Sequence, residues 1–211
     1  MNSRSLCDIM VLGYVNTRDV IQHSSVLFLG GEFMKVGLSY KITSNMSVEI
    51  KELELNDVSS DPEVIAYLND TDESDSLVYL RVNDEITIHC FLNCSSFGVN
   101  DLTVFCSEET RTIFIGGKKK SFTINMNTNQ ISNEFEHCLF WDFNILSNGL
   151  ILETGELDCL LRDRNRTILS HAPVDPPYEI FDEEDGIRFN SIVHGTTYLK
   201  FPGEKNFRGL R

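Results

Sequence analysis

The fold class is decided by residues 76–92, which read SLVYLRV-NDE-ITIHCFL. Two runs of seven residues, rich in β-branched and aromatic side chains, flank the polar triplet Asn83-Asp84-Glu85. Such runs on either side of a short polar connection are typical of a β-hairpin. This stretch therefore predicts two antiparallel strands joined by a tight turn.

Two further hairpins follow the same pattern. Residues 102–106 and 112–115 flank the polar segment 107–109, and residues 121–126 and 130–135 flank Asn127-Thr128-Asn129. Asparagine tolerates the left-handed backbone that such turns need. We therefore expect a mainly β fold, an antiparallel meander or sandwich of hairpins.

One short helix is predicted over residues 61–68. Asp61 is a suitable N-cap, and Pro62 would occupy the first helical position. Helical periodicity is scarce elsewhere in the sequence.

A weak internal repeat is visible in the second half of the chain. Residues 112–117 open a unit that ends near residue 132, and residues 150–155 open a similar unit that ends at residue 170. Each unit reads as a strand, a Gly-containing turn, a second strand, a polar turn and a third strand. Residues 26–31 echo the opening of the first unit, and residues 192–201 are interpreted as the start of a last one.

Residues 112–170 resemble blades of the quinoprotein-like or WD-type propellers, whose repeats span about 40 residues. The WD dipeptide occurs once, as Trp141-Asp142, without the Gly-His pair that accompanies it in that family. The resemblance implies a small or partial β-propeller-like repeat as the alternative architecture.

Length and charge restrict the function classes. The chain has 211 residues, which favours a single domain over 1–211, with a possible division into 1–110 and 111–211. Its 32 acidic and 18 basic residues give a net charge of −14. Nucleic acid and anionic membranes repel such a chain, so we expect neither as partner. A basic protein partner fits the charge.

The six cysteines predict neither a disulfide framework nor a metal site. A chain of this size does not need disulfides, so we expect reduced thiols and a cytoplasmic protein. His89, Cys90, Cys94 and Cys106 contain only one closely spaced cysteine pair, whereas a zinc site needs two such pairs of ligands. We expect no metal and no other cofactor. No apolar run approaches the ~20 residues of a membrane-spanning helix.

No catalytic motif is present. The chain has no G-x-S-x-G, no H-E-x-x-H and no P-loop sequence. We interpret His137 and Cys138 as strand packing, and residues 138–143 as a central strand covered on both faces, with Phe140 on one face and Trp141 and Phe143 on the other. The chain is therefore expected to be no enzyme, and no residue is assigned a catalytic role.

Acidic residues concentrate in two blocks. Residues 49–85 contain twelve acids and two bases, and residues 175–185 contain six acids and no base. We expect the densest part of the first block, residues 69–76, to form an exposed loop and the second block to form another. Binding residues concentrate in loops on rigid scaffolds. The predicted partner-binding residues are the most densely charged parts of the two blocks: Asp70, Asp72, Glu73, Asp75, Asp182, Glu183, Glu184 and Asp185.

At the level of size, charge and absence of catalytic motifs, the chain resembles the acidic immunity proteins with which bacteria neutralise nuclease-type toxins. This class-level resemblance implies a non-enzymatic protein that binds a basic toxin domain through acidic loops. Two alternatives stay open. One is a propeller-like interaction scaffold, and the other is a carbohydrate-active or hydrolytic β enzyme that uses a pair of carboxylates.

Overall fold

The computed structural model describes residues 21–23, 40–44, 46–53, 62–68, 76–92 and 102–202. All regular secondary structure in this part of the chain is β-strand. The strands are β1 Ile21–His23, β2 Tyr40–Ser44, β3 Val48–Leu53, β4 Val64–Tyr67, β5 Ser76–Val82, β6 Ile86–Leu92, β7 Leu102–Ser107, β8 Thr112–Gly117, β9 Lys120–Asn125, β10 Gln130–Glu136, β11 Phe140–Ile145, β12 Ile151–Gly155, β13 Asp158–Arg162, β14 Ile168–Pro173, β15 Tyr178–Glu183, β16 Gly186–Ser191 and β17 Gly195–Lys200.

The strands form four sheets. Sheet I has the order β3-β5-β6-β4, sheet II the order β1-β2-β7-β8-β9-β10, sheet III the order β11-β12-β13-β14 and sheet IV the order β15-β16-β17. Pairing is antiparallel except between β2 and β7 and between β4 and β6. The expected mainly β, antiparallel fold is therefore confirmed.

The sheets stack face to face in the order I, II, III, IV. On β8, Ile113 and Ile115 pack into the core shared with sheet I, whereas Phe114 points the other way, into a cluster with Phe140 and Phe143 of sheet III. Successive side chains of a strand point to opposite faces, so an apolar strand can serve two cores. Sheet II is therefore covered on both faces.

Sheet III is also covered on both faces. Leu152 and Leu161 share a core with Ile187 and Phe189 of sheet IV, while Ile151, the neighbour of Leu152, faces the phenylalanine cluster. This double burial is why β7, β8 and β12 contain only buried residues, a pattern that a sheet with one wet face does not show.

All three hairpins predicted from the sequence are confirmed. β5 pairs with β6, β7 with β8, and β9 with β10, each antiparallel. Asn83, Asp84 and Asn129 have positive φ angles, as tight turns require.

The predicted helix over residues 61–68 is wrong, because residues 64–67 form strand β4, parallel to β6. Val64 and Ala66 are buried while Ile65 and Tyr67 are exposed, which is the two-residue period of a strand. β-Branched residues and contact with β6 outweigh the local capping signal of Asp61-Pro62.

The two predicted units of residues 112–170 have the expected strand order. β8, β9 and β10 form one three-stranded meander, and β12, β13 and β14 form the other. The expected last unit is misplaced, because Ile192 lies in the turn between β16 and β17 and the third meander begins at Tyr178. Residues 26–31 lie outside the described residues. A division at 110/111 would fall in the turn between β7 and β8, two paired strands of sheet II.

The stack has two distinct ends. The turns 83–85, 108–111, 146–150, 163–167 and 184–185 lie at one end, which we call the hairpin end. The turns 118–119, 156–157 and 192–194 lie at the other, the crossover end, with the links between sheets at 137–139 and 174–177. Ion pairs of Arg111 with Glu85 and of Arg164 with Glu109 connect neighbouring sheets at the hairpin end.

Close approach of sheets II and III depends on Gly116 of β8. A Cβ atom at this position would overlap the ring of Phe140 from sheet III. We predict that Gly116→Ala lowers the free energy of unfolding by about 1–3 kcal/mol, the usual cost of overpacking. Phe140→Ala alone should cost about 3–5 kcal/mol. Urea unfolding of the single and double variants checks this, and strictly additive losses would contradict the contact.

His89 generates a prediction about pH. Its side chain is 1% exposed, neither ring nitrogen has a hydrogen-bond partner within the described chain, and burial lowers its pKa below the ordinary 6.5. Because the unfolded chain binds this proton more readily, stability should fall as the pH drops through about 6.5. In stability curves from pH 8 to 5, His89→Phe should flatten this loss, whereas the exposed control His194→Gln should retain it. A curve unchanged in His89→Phe would refute the assignment.

Candidate binding surface

The first predicted acidic block lies outside the described residues, so Asp70, Asp72, Glu73 and Asp75 are not placed. The residues on either side of it, Leu68 and Ser76, belong to the crossover end of sheet I. The carbonyl of Leu68 there accepts a hydrogen bond from the backbone N–H of Lys119, at 3.3 Å.

The second predicted block lies within the described residues. The expected loop is wrong for part of this block, because residues 178–183 pair with β16 as strand β15. Asp182 and Glu183 end β15, and Glu184 and Asp185 form the turn to β16, at the hairpin end of sheet IV. All four side chains are exposed.

Two of the four acids are tied to their own sheet. Glu183 accepts hydrogen bonds from Arg188 Nε at 2.5 Å and from the Tyr198 hydroxyl at 2.8 Å, and the same hydroxyl lies 2.6 Å from Asp185. The guanidinium of Arg188 lies 4.1 Å above the ring of Phe181. This arrangement holds the outer face of sheet IV together around the turn.

These contacts shift the protonation of the groups involved. The hydrogen bond from Arg188, followed by that from Tyr198, lowers the pKa of Glu183. The hydrogen bond to Asp185 raises the pKa of the Tyr198 hydroxyl, with burial adding to it. Glu183 is therefore ionised at neutral pH.

The side chains of Asp182 and Glu184 have no hydrogen bond or ion pair with any described residue. Arg188 is the base that neutralises part of the block, and it is already paired with Glu183. Three of the four negative charges at this turn are thus left without a cationic partner in the described part of the chain.

Sequence reasoning missed a second polar cluster, buried between sheets II and III. It consists of Ser121 on β9, His137 in the link to β11, Glu153 on β12 and Arg162 on β13. Arg162 Nε donates to Glu153 Oε2 at 2.5 Å, and His137 Nε2 lies 2.6 Å from Glu153 Oε1. The Ser121 hydroxyl donates to the same carboxylate. Glu153 is fully buried, and Arg162 is 1% exposed.

This cluster is structural in its geometry. A Ser-His-acid triad uses the two ring nitrogens of its histidine for different partners. Here Ser121 and Glu153 both contact Nε2 of His137, and Nδ1 has no partner in the described residues. Burial raises the pKa of Glu153, but the hydrogen bond with His137 and the charge of Arg162 outweigh it and hold the pKa below its ordinary value. Glu153 is thus an ionised, neutralised link between sheets.

A sequence signal for this cluster existed. Glu153 is the acid in the otherwise apolar run of β12, and Arg162 ends the apolar run of β13. A charge within a strand buried on both faces requires a partner of opposite sign on a neighbouring strand.

None of the four thiols in the described part of the chain is activated. Cys90, Cys106 and Cys159 are buried, and burial raises the pKa of Cys106 and of Cys159 to about 12. Cys138 is exposed, and its hydrogen bond with Glu156 raises the pKa of its thiol above the ordinary value. Across the described ranges, no group of three His, Cys, Asp or Glu side chains is placed to hold a metal ion.

The expected packing of residues 137–143 is partly wrong. His137 and Cys138 lie in the link between β10 and β11 instead of in a strand. β11 is an edge strand of sheet III, and its register shifts between Phe140 and Asp142. This bulge puts Phe140 and Phe143 in one cluster and leaves Trp141 to stack on Tyr178, with ring centroids 5.2 Å apart.

Comparison with known proteins finds no family model and no curated protein that matches this chain. Within the described residues, no helix is long and apolar enough to cross a membrane.

The buried cluster predicts a specific pattern of stability losses. Glu153→Gln leaves the charge of Arg162 buried without its counter-ion, and should cost about 3–5 kcal/mol in the free energy of unfolding. Glu134→Gln, which breaks the half-exposed pair with Lys120, should cost less than about 1 kcal/mol. Urea unfolding of both variants is the measurement, and equal losses would show that Glu153 is not the link described.

Restoring an apolar interior tests the same link from the other side. The double variant Glu153→Leu with Arg162→Met removes both charges together and should be more stable than Glu153→Gln. A double variant that is as unstable as Glu153→Gln would show that the loss does not come from the uncompensated charge of Arg162.

Proposed function

We propose that this chain is a non-enzymatic, cytoplasmic binding protein of the immunity type, which binds and neutralises a basic, nuclease-like toxin domain through acidic loops. The observation that carries the proposal is the turn at Asp182, Glu183, Glu184 and Asp185. Four consecutive acids are exposed there on a rigid hairpin, and one base is paired with them.

The negative charge of this turn would speed its encounter with a basic partner. A net charge of −14 and a local excess of carboxylates attract a basic surface and raise its association rate. Nuclease-like domains are commonly basic because they bind nucleic acid. The internal contacts of Glu183 and Asp185 fix the turn, so little conformational freedom is lost on binding.

The carboxylate enzyme is the weaker candidate. Such an enzyme keeps one of two facing acids protonated by raising its pKa. The buried carboxylates of the described chain are Glu153 and Asp175, and both have a lowered pKa. For Asp175, burial opposes the shift, but backbone N–H groups of His194 and Val193 donate to it at 3.0 Å.

A propeller-like interaction scaffold is the second candidate function. Successive antiparallel meanders stacked face to face in sheets II, III and IV favour it. Such a scaffold would bind through turns at one end of the stack, which is also where Glu184 and Asp185 lie.

The test of the proposed function starts from affinity capture. The 211-residue protein is immobilised, incubated with a lysate of the cells in which it naturally occurs, and washed at low and at high salt. A basic partner in stoichiometric amount, released by salt and identified by mass spectrometry as a nuclease-type domain, is the expected result. Recovery of no basic partner would overturn the proposal.

Charge reversal then tests the turn itself. Asp182→Lys with Glu184→Lys changes the net charge by four units without breaking a contact within the described chain. We expect the association rate with the captured partner to fall about tenfold at low salt, with a weaker salt dependence. Stopped-flow or surface-plasmon measurements at several salt concentrations check this.

The matched control has the same change in net charge at another place. Asp84→Lys with Glu136→Lys alters two exposed acids of sheets I and II, and Asp84 is 82% exposed in a weak ion pair with Arg81. Its effect should be much smaller. Equal effects in both double variants would mean that net charge alone, and not this turn, attracts the partner.

A further inference from the structure

Sheet IV has an open edge at β15. Strand β15 pairs with β16 on one side and has no strand on the other among the described residues. Its register with β16 is continuous over all six residues, from Tyr178 opposite Ser191 to Glu183 opposite Gly186, with no bulge. Unpaired, regular edge strands are templates for another strand.

The hairpin geometry shows which backbone groups are available. In a two-residue hairpin, the pair that flanks the turn exchanges hydrogen bonds, and alternate residues then direct theirs outward. Glu183 and Gly186 are the flanking pair. The N–H and C=O groups of Asp182, Ile180 and Tyr178 therefore point away from β16, toward the open edge.

The structure contains a precedent for strand addition at this position. β7, β11 and β15 each open their meander, and in sheet II the edge of β7 is occupied by β2, in parallel register from Tyr40 opposite Leu102 to Ser44 opposite Cys106. In sheet III the same edge is distorted by the bulge of β11. Bulges protect edges from pairing, and β15 has no such protection.

We propose that β15 binds an extended basic segment of the partner protein as an added β-strand. The proposal rests on the proposed function, and it deepens it by stating how the partner is held. The backbone groups of Tyr178, Ile180 and Asp182 would supply hydrogen bonds, and the acids of the strand would select the sequence.

Charge decides between the two classes of occupant. Glu179, Asp182 and Glu183 lie on β15, and Glu184 and Asp185 follow directly. A second copy of β15 would place carboxylates opposite carboxylates, which destabilises a strand pair. A strand with alternating Lys or Arg would instead face them with opposite charge. The exposed Ile180, 45% accessible, lies on the same face of β15 as Asp182 and offers an apolar contact for the stem of such a side chain.

The experiment uses three synthetic peptides of identical charge with the full-length chain. The parent is an acetylated octapeptide of alternating Lys and Thr. The other two are N-methylated derivatives of it, one at all Lys amides and one at all Thr amides, and these two derivatives are isomers of each other. Alternate residues of a strand direct their N–H groups to the same edge. Strand addition therefore requires one isomer to lose binding and the other to retain it.

The readouts are affinity and amide protection. In NMR titrations we expect the two isomers to differ by roughly tenfold or more in Kd, since each lost strand hydrogen bond costs about fivefold. The parent peptide should slow hydrogen exchange at the amides of Tyr178, Ile180 and Asp182. Equal affinity of both isomers, or protection confined to another edge, would overturn the proposal.

Protein variants test the same contact from the other side. Ile180→Pro removes an outward N–H from an edge strand, where proline is tolerated, and should weaken the parent peptide about fivefold. Ile180→Thr keeps the N–H and is the matched control, expected within about twofold. Equal loss in both variants would mean that the side chain, and not the backbone, binds the peptide.

The outcomes separate this proposal from the proposed function. If the parent peptide binds with a strong salt dependence and both isomers bind equally, electrostatic attraction stands and strand addition fails. If the three peptides do not bind at all, β15 is no docking edge, and the partner recovered from lysate still decides the proposed function.

Discussion

The ion pair between Glu153 and Arg162 is the constraint on which the stack depends. A carboxylate in a strand buried on both faces is tolerated because Arg162, Ser121 and His137 satisfy its two oxygens. Arg162 also donates to the carbonyl of Asn133 on β10, at 3.1 Å. One buried charge therefore fixes how sheet III sits on sheet II. Apolar packing alone would allow the faces to slide, whereas hydrogen bonds of fixed direction specify one register.

The hairpins could be predicted from sequence because their signals are local. Two apolar runs and a polar turn lie within a few residues of each other at 76–92, and the turn residues Asn83 and Asp84 adopt the backbone that their chemistry favours. The stacking order could not be predicted, because it depends on which face of one sheet meets which face of another. The prediction of a short helix was wrong for the same reason. Val64 and Ala66 are buried beside β6, a strand distant in sequence, and this contact outweighs the helix-capping signal of Asp61 and Pro62.

The candidate site divides in the same way. Exposure of the acids at 182–185 follows from their density and from the Gly186 that ends the turn, so the sequence predicted their exposure. It did not predict strand β15, because the pairing of residues 178–183 with β16 is hidden by their charge. The tie between Glu183, Tyr198 and Asp185 was not predictable, because Tyr198 comes from β17, two strands away. The face of Phe140 was also misassigned, since a single extra residue at a bulge reverses the alternation on which the prediction relied.

The edge strands of the sheets are protected against pairing to different degrees. β10, β11 and β14 are edge strands, and the pairing of each with its neighbouring strand is interrupted by a register shift. β15 is regular, and its protection against self-association is its charge, because two acid-lined strands repel each other. The same charge leaves the edge open to a basic strand. Negative charge on β15 therefore disfavours self-pairing and selects the partner at once, so the strand can stay regular without promoting aggregation.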